Sequence, residues 1–505
     1  LNKDCIERFI LKKAVLAIDQ GTTGTTVLIV ENSGEIRCRA YSEFRQFYPK
    51  PGWVEHDAEE IWSVTKKLII QAVKKAKLKP HDIAAIGITN QRETTVIWDR
   101  RSGKPIHNAI VWQCRRTSDF CSELQSHNLT PLFHAKTGLV IDAYFSATKI
   151  KWLLDHVPGA RSRAQAGELC FGTIDSWMLW KLTDGAVHAT DYTNASRTLV
   201  YNIHSKTWDK ELLDILDIPS AILPIVDTSS GIFGYTSPLG PLKMEIPIAG
   251  IAGDQQAAMY GQNCWEAGLV KNTYGTGCFM MMNTGAKAIH STNRLLTTLA
   301  CDALGRPCFA LEGSIFIAGA LIQWLRDELG LIRTAAETEA LAQSVADTHG
   351  VYIVPAFVGL GAPHWDMNAR GIISGLTRGS NKAHIARAAL EAIAYQSHDV
   401  LKAMANDSGL SITEVHVDGG ASANDFLMQF QADILNVKIN RPHNIDTTAL
   451  GAAFLAGLAV GFWKDQSELS RVRRIDRVFT PEMDERQRMD LLAGWEHTVR
   501  QCKLG

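Results

Sequence analysis

Two aspartates, each set where an apolar run stops, are the first candidates for chemistry in this chain. In "AVLAIDQGTTGTTVLIVENSGEI", residues 14–36, an apolar run ends at Asp19, turns through Gly21-Thr22-Thr23 and resumes as a second apolar run. Two such runs around a glycine turn predict a hairpin. A turn carrying glycine amides and threonine hydroxyls can face an anion such as a phosphate, which would give Asp19 a cation to hold. Taken alone, the stretch reads equally well as an ordinary hairpin with a polar tip. In "IPIAGIAGDQQAAMYG", Asp254 closes another apolar strand and opens a helix. A carboxylate so placed can accept a hydroxyl proton or help hold a divalent cation. It can also simply cap the helix, with Gln255 or Gln256 completing a local pattern.

The opening arrangement returns later in the chain. "GLVKNTYGTGCFMMMNTG", residues 268–285, is again an apolar run, a turn of Gly275-Thr276-Gly277 and a second apolar run. A third glycine turn, Asp418-Gly419-Gly420, ends the alternating strand expected at Glu414 to Val417 and leads into a helix beginning near Asn424. A junction of strand, glycine and helix exposes N-terminal amides suited to a phosphate or a ribose. Together the three turns describe two α/β lobes closing over a nucleotide.

Between the turns lie residues suited to a small polyol. Arg92 and Glu93 follow the strand-like "IAAIGITN", Trp112 ends an apolar run in "NAIVWQCRRT", and "DAYFSATKIKW" offers Tyr144. One charge pair at a strand end is ordinarily surface decoration. Gathered in a pocket, these groups would match hydroxyls with hydrogen bonds and carbons with aromatic faces, and would reject an analogue that leaves them unpaired.

Positioning such groups requires alternating helices and strands. "AEEIWSVTKKLIIQAVKKAK" and "IARAALEAIAYQSHDVLKAMAND" carry apolar positions at three- and four-residue intervals and predict helices ahead of the strands "IAAIGITN" and "VHVDGG". No proline- or serine-rich linker separates the halves, and the expected boundary falls in "IAGDQQAAMYGQ", giving lobes of 1–256 and 257–505. The 505 residues are 46% hydrophobic and 21% charged, with a formal net charge of −1, enough for two sizeable cores. A near-neutral balance without a Lys/Arg-rich run argues against nucleic acid or an anionic membrane surface and favours a small metabolite. The 10 cysteines form neither a Cys-x-x-Cys pair nor a zinc-spaced cluster, which predicts free, buried thiols in a reducing cytoplasm. "LNKDCIERFILKK" lacks a signal-peptide core. "ALGAAFLAGLAVGFW", residues 449–463, falls short of the ~18 apolar residues of a membrane span and predicts a close-packed core helix.

"DQGTT", "GITNQRETT", "IVWQCRRT", "YFSATKIKWLLDH", "DYTNASRT", "GIAGDQQAA", "NTYGTGCF", "GLGAPHWD" and "DGGASANDFLMQFQADIL" closely resemble, in order from about Val15 to about Trp463, the FGGY family of carbohydrate kinases. "NQRETT" and "TYGTGCF" are similar to its glycerol-phosphorylating branch. The resemblance implies an α/β fold of two actin-like, ribonuclease-H-like lobes with ATP in the cleft between them. It assigns glycerol hydroxyls to Arg92, Glu93, Tyr144, Asp254 and Gln255, and the carbon chain to Trp112 and Phe279. Thr22, Thr23 and Thr276 would line the ATP phosphates, Gly319, Gln323, Gly420 and Asn424 the nucleotide, and Asp19 with Asp254 the Mg²⁺ region. The implied reaction is transfer of the γ-phosphoryl of ATP to glycerol with Asp254 as general base, in a cytoplasmic homo-oligomer, a dimer or tetramer. Gly319 and Gln323 rest on the resemblance alone, because "LEGSIFIAGALIQWLRD" otherwise reads as a plain amphipathic helix with a polar start.

Two rivals use the same turns. A family member acting on a longer polyol or sugar would change only the pocket, and an actin-like or chaperone-like ATPase would leave Arg92, Glu93, Tyr144 and Gln255 without a task. Three departures from the family pattern stand out. Thr26 occupies the place of an arginine expected near the phosphates, which predicts a lost charged contact unless another basic residue substitutes. Leu242-Lys243-Met244-Glu245 replaces the Gly-Gly-Thr-Arg loop that binds fructose 1,6-bisphosphate in some relatives, which predicts weak or absent inhibition. "FTPEMDERQ" departs from the segment that meets a sugar-transport phosphocarrier, although Asp484 keeps a carboxylate.

Overall fold

A computed structural model describes residues 13–366 and 368–504 of the chain, so the reading of residues 1–12 lies outside the described part. Its frame is two sheets, each built outward from one of the expected hairpins. In the first, β1 (Ala14–Gln20) pairs antiparallel with β2 (Gly24–Glu31), which pairs with β3 (Ile36–Glu43). Helix α1 (Ala58–Lys75) packs on β2 and β3, and its start is set by Asp57, whose side chain accepts from the amides of Glu59 and Glu60 at 2.9 and 3.2 Å. It buries Ile61, Leu68, Ile69, Ala72 and Val73, the apolar face that the spacing predicted. Strand β4 (Ile83–Asn90) then lies parallel to β1, and β5 (Ser230–Tyr235) and β6 (Pro247–Gly253) complete the order β5-β6-β4-β1-β2-β3.

The chain passes to the second sheet through helix α2 (Asp254–Gly261), within which the sequence-based limit of 256/257 falls. The second sheet repeats the plan. β7 (Val270–Tyr274) and β8 (Cys278–Gly285) form the hairpin, flanked by β9 (Leu296–Cys301) and β10 (Pro307–Ile315). Helix α3 (Gly319–Asp327) and the long α4 (Lys382–Ser408) precede β11 (Glu414–Asp418), which lies parallel to β7. Helix α5 (Asp425–Leu435) and β12 (Lys438–Pro442) follow, giving the order β9-β10-β8-β7-β11-β12 and, at the edge, β13 (Ile475–Phe479). The stretch Leu311–Asp327 corrects the helical reading of its first part. Leu311 to Ile315 is strand, held between β8 and β9, and helix begins only at Gly319, because pairing on both sides overrides local periodicity.

After β12 the chain leaves the second sheet again. Helix α6 (Thr447–Ala459), the most membrane-like stretch of the sequence, returns to pack against β1, β4, β6 and α2. Among the described residues no helix is long and apolar enough to cross a membrane. The close approach depends on missing side chains: a Cβ on Gly87 would stand 2.1 Å from the Ala452 carbonyl oxygen, and one on Gly451 would stand 1.8 Å from that of Ala257. A third passage, Val472 to Ile475, carries the chain back into β13. The free cysteines among the described residues are buried except Cys38, which is half-buried, in keeping with their reading as small core residues.

The packing predicts that Gly451→Ala lowers stability by about 1–3 kcal/mol through overpacking, whereas Gly420→Ala, whose added Cβ meets nothing within 4 Å, leaves it nearly unchanged. Thermal unfolding of the two variants side by side checks this.

Candidate active site

Strand β4 delivers Asn90 to the end of the first sheet, and the chain then turns sharply through Arg92 and Glu93. Glu93 adopts a left-handed backbone, φ 59°, costly for a residue with a side chain. The turn is over-determined: the Thr94 amide donates to the Arg92 carbonyl at 2.7 Å, and the hydroxyls of Thr95 and Ser146 donate to the Glu93 carbonyl at 3.1 and 3.0 Å. Both side chains are buried, so the pair is no surface decoration.

The Arg92 guanidinium donates to both oxygens of Glu312, Nη1 at 2.6 Å and Nη2 at 3.0 Å, and Nη1 also reaches Gln256 Oε1 at 3.2 Å. Glu312 sits on β10 of the second sheet, so this fork joins the lobes. Arg197 completes a closed arrangement, with Nε 2.6 Å from Glu93 and Nη2 3.1 Å from Glu312. Burial alone would raise the Glu312 carboxyl, but Arg197 and Arg92 together hold it down at about 2. Burial raises Glu93 in spite of the same two arginines.

Asp254 is the first residue of α2, and its role as a cap is overturned: Gly253 occupies the cap position, and no side chain caps this helix. Instead Asp254 Oδ1 accepts from the Gln255 amide at 2.7 Å and lies 3.2 Å from Arg92 Nε, while the side chain keeps 28% of its exposure. Burial raises its carboxyl despite Arg92. Asp19, half-buried at the end of β1, is pushed up to about 7 by burial, then by the like charges of Asp254 and Asp446, with Arg39 opposing. The two acids the sequence singled out, one at the end of β1 and one just after β6 of the same sheet, therefore repel one another.

Around them stand the aromatic residues. Trp112 Nε1 donates to Thr22 Oγ1 at 2.9 Å, tying the expected carbon-chain face to the first phosphate-type turn. Its ring meets Tyr144 edge-on at 5.5 Å, and the Arg197 guanidinium lies over the Tyr144 ring at 5.6 Å. Gln255 Oε1 accepts from Lys271 Nζ, which also donates to the Phe279 carbonyl at 3.1 Å. Lys271 is fully buried, and burial lowers its ammonium to about 8.

The turns themselves are tight. Gly21 donates to the Gly24 carbonyl at 3.0 Å, and Gly275 to that of Gly277 at 2.8 Å, leaving Thr23 and Thr276 exposed and Thr22 half-buried. The amide of Gly319 donates to the Gly275 carbonyl at 3.0 Å, so the start of α3 is docked on the second turn and that N–H is already used. Gln323 is exposed on the same helix. Gly420 follows a left-handed Gly419, φ 85°, and Asn424 caps α5 by accepting from the Leu427 amide at 2.9 Å.

Arg197, Glu312 and Lys271 escaped the sequence reading, and Gln256 entered it only as a possible partner in a helix cap. Arg197 lay inside the quoted block "DYTNASRT" and Glu312 was an isolated acid in an apolar run, the one available signal for a buried charge. A basic residue lies on the same face as Thr26. Asp19, Thr26 and Tyr41 are directly opposite one another across β1, β2 and β3, so their side chains share a face with Arg39, two residues from Tyr41. Arg39 is half exposed there, 3.2 Å from Asp446. At the loop before β6, Leu242 is buried while Lys243, with φ 50°, and Glu245 are exposed. Asp484 accepts from the Gln487 amide at 3.0 Å, at the start of the C-terminal helix.

Two halves of one family model match this site and its frame: the FGGY family of carbohydrate kinases, N-terminal domain over residues 14–261 and C-terminal domain over residues 270–460. The chain belongs to this family. It is 60% identical to a glycerol kinase of Carboxydothermus hydrogenoformans over 97% of this chain and 98% of that protein. It is 58% identical to one of Caldanaerobacter subterraneus over 97% and 99%. Among solved structures, Plasmodium falciparum glycerol kinase with ADP is similar at 37% identity and a TM-score of 0.91, over 97% of this chain and 98% of that one. A xylulose kinase from Lactobacillus acidophilus, 24% identical with a TM-score of 0.87 over 97% and 98%, shares the fold.

The raised carboxyl of Asp19 has a defined linkage. Between about pH 4, the ordinary value, and about 7 the native state holds more protons than the unfolded one, so this group's contribution to stability falls as pH rises through that window. Asp19→Asn removes the repulsion. Metal-free thermal unfolding should show equal stability near pH 4 and a more stable variant at pH 8.

Proposed function

We propose that this chain transfers the γ-phosphoryl group of ATP to a terminal hydroxyl of glycerol, giving glycerol 3-phosphate and ADP. The observation that carries the reading is the convergence of Arg92, Glu93, Tyr144, Trp112 and Asp254 on one point beside the first threonine turn, in a chain closely similar to named glycerol kinases. An ATPase without an acceptor has no use for that cluster. A longer polyol is disfavoured by Trp112, which is pinned on Thr22 and Tyr144 across the position of the carbon chain.

The roles follow from the geometry. Arg92 and Glu93 donate to and accept from the glycerol hydroxyls, held rigid by Glu312 and Arg197. Gln255 is oriented by Lys271 and Tyr144 by its ring contacts, with Phe279 on the carbon chain. Asp254 has its Oδ1 engaged by the Gln255 amide and Arg92, which leaves Oδ2 to take the proton of the attacking hydroxyl. Because the transferred group is only loosely bonded in the transition state, orienting that hydroxyl matters as much as deprotonating it. Thr22, Thr23 and Thr276 offer hydroxyls and turn amides to the phosphates, and Gly420, Asn424, Gln323 and the Gly319 backbone border the nucleotide. Arg39 supplies the positive charge absent at Thr26 by exchanging Asp446 for a phosphate oxygen.

Asp19 and Asp254 fit a divalent cation. Their mutual repulsion is the environment Mg²⁺ relieves, and Mg²⁺ is ordinarily held by one or two carboxylates with substrate phosphates. When bound, it neutralises charge on the phosphates. The reading extends to a reducing cytoplasm, supported by the free thiols, and to a homo-oligomer, supported by Ile225, Ile232, Tyr235 and Leu239 exposed on and beside the edge strand β5. Fructose 1,6-bisphosphate should inhibit weakly or not at all, because Leu242 is committed to the core and Glu245 is a negative charge on the surface.

A coupled assay of ADP release with and without glycerol tests the reaction. Release that is independent of glycerol, or greater with a longer polyol, would overturn it. Asp254→Asn should retain the fold and lose roughly two or more orders of magnitude in turnover. Arg39→Gln should raise KM for ATP about tenfold, as expected for one charged hydrogen bond, with KM for glycerol unchanged. Thr26→Arg in that background should restore it.

A further inference from the structure

The chain passes between the two sheets at α2, at Pro442 to Thr447 and at Val472 to Ile475. Residues of all three passages wall one cavity of about 40 Å³: Gly261 from the first, Pro442, His443, Asn444 and Thr447 from the second, Val472, Arg473 and Arg474 from the third. The tip of the β2–β3 hairpin, Ser33 to Glu35, closes it from the first lobe. That volume suits about three waters or one tetrahedral oxyanion.

The charges on the wall are unbalanced. Arg474 pairs with Glu35 at 2.6 Å across the hinge. Arg473 has no carboxylate partner among the described residues. Its Nε and Nη2 donate to Gln262 Oε1 at 3.1 and 2.8 Å, and Nη2 also to Asn440 Oδ1 at 2.8 Å, all neutral oxygens, while Nη1 has no acceptor among the described residues. The nearby carboxylates are engaged elsewhere, Glu414 by His416 and Asn440, and Asp418 by Gln262 and Thr447 at 2.8 and 2.7 Å. Burial lowers the Arg473 guanidinium, with Cys264, Glu414 and Asp418 opposing from beyond ion-pair distance.

We propose that this hinge cavity is a second anion site, separate from the catalytic cleft, which takes inorganic phosphate or the phosphate group of a small metabolite on Arg473. Asn444, Ser33 and Thr447 supply further hydrogen-bonding groups on the wall. An anion seated there touches every segment that joins the lobes and the hairpin that leans on them, so its occupancy restrains the hinge.

The test is calorimetric titration of inorganic phosphate into the full chain, with glycerol and a non-hydrolysable ATP analogue filling the cleft. The wild type should bind one phosphate per chain at millimolar concentration or tighter. Arg473→Gln should weaken it about tenfold or more, the loss of a charge-assisted contact. Asn444→Asp, which leaves Arg473 in place and puts a carboxylate on the wall, should do the same without altering the melting temperature appreciably, and so guards against a folding defect in the first variant. Hydrogen exchange should slow on phosphate addition in both Ser33–Ile36 and Val472–Ile475 of the wild type only. Glycerol 3-phosphate used as titrant separates the sources: binding equal to that of inorganic phosphate identifies a site for phosphate esters, and binding of inorganic phosphate alone identifies an enclosed ion site. No binding in the wild type, or equal binding in all three proteins, overturns the proposal.

Discussion

The fork between Arg92 and Glu312 is the contact on which the cleft depends, because it ties the turn that presents the acceptor residues in one lobe to β10, one strand in from the edge of the sheet in the other. Neither side chain reaches solvent. A buried guanidinium without its carboxylate would be severely destabilising, whereas the intact pair, braced by Arg197 and Glu93, is satisfied on both sides. The charges are thus conditional on one another. Arg92 can present Nε to Asp254 because its two terminal nitrogens are already committed to Glu312.

That commitment shapes the electrostatics of the whole site. Glu312 absorbs the positive charge of two arginines and stays ionised, while Asp19 and Asp254, further toward the open cleft, are left short of it. One acid anchors and two acids wait for a cation or a proton. The division is one of position rather than of residue type, since all three are carboxylates in largely desolvated surroundings.

The small residues have an equally specific task. Gly87, Gly250 and Gly451 let α6 lie on the first sheet and on α2 at backbone contact, although that helix follows most of the second sheet in sequence. The lobes are therefore interlocked by chain path as well as by the ion network, and their relative movement must be taken up where the chain crosses between them.

Much of this was legible in the chain. The two hairpins, the third glycine turn and the long amphipathic helices came from local periodicity and turn chemistry, which depend on neighbours a few residues apart. Asp19, Asp254, Arg92, Glu93 and Trp112 were recognisable because each stands at or just after the end of an apolar run, and Tyr144 because it is an aromatic hydroxyl just ahead of a helix. What only the tertiary structure decided was partnership. Glu312 meets Arg92 from 220 residues away and Arg197 from 115, and Lys271 reaches across the cleft wall to Gln255. The same holds for the strand at Leu311 to Ile315, which carries a helical pattern but lies between two strands that supply its hydrogen bonds. Sequence records which side chains can carry charge. Whether a charge is an anchor, a base or a surface ornament is set by burial and by the opposite charge that folding brings beside it, and neither is written in the spacing of residues along the chain.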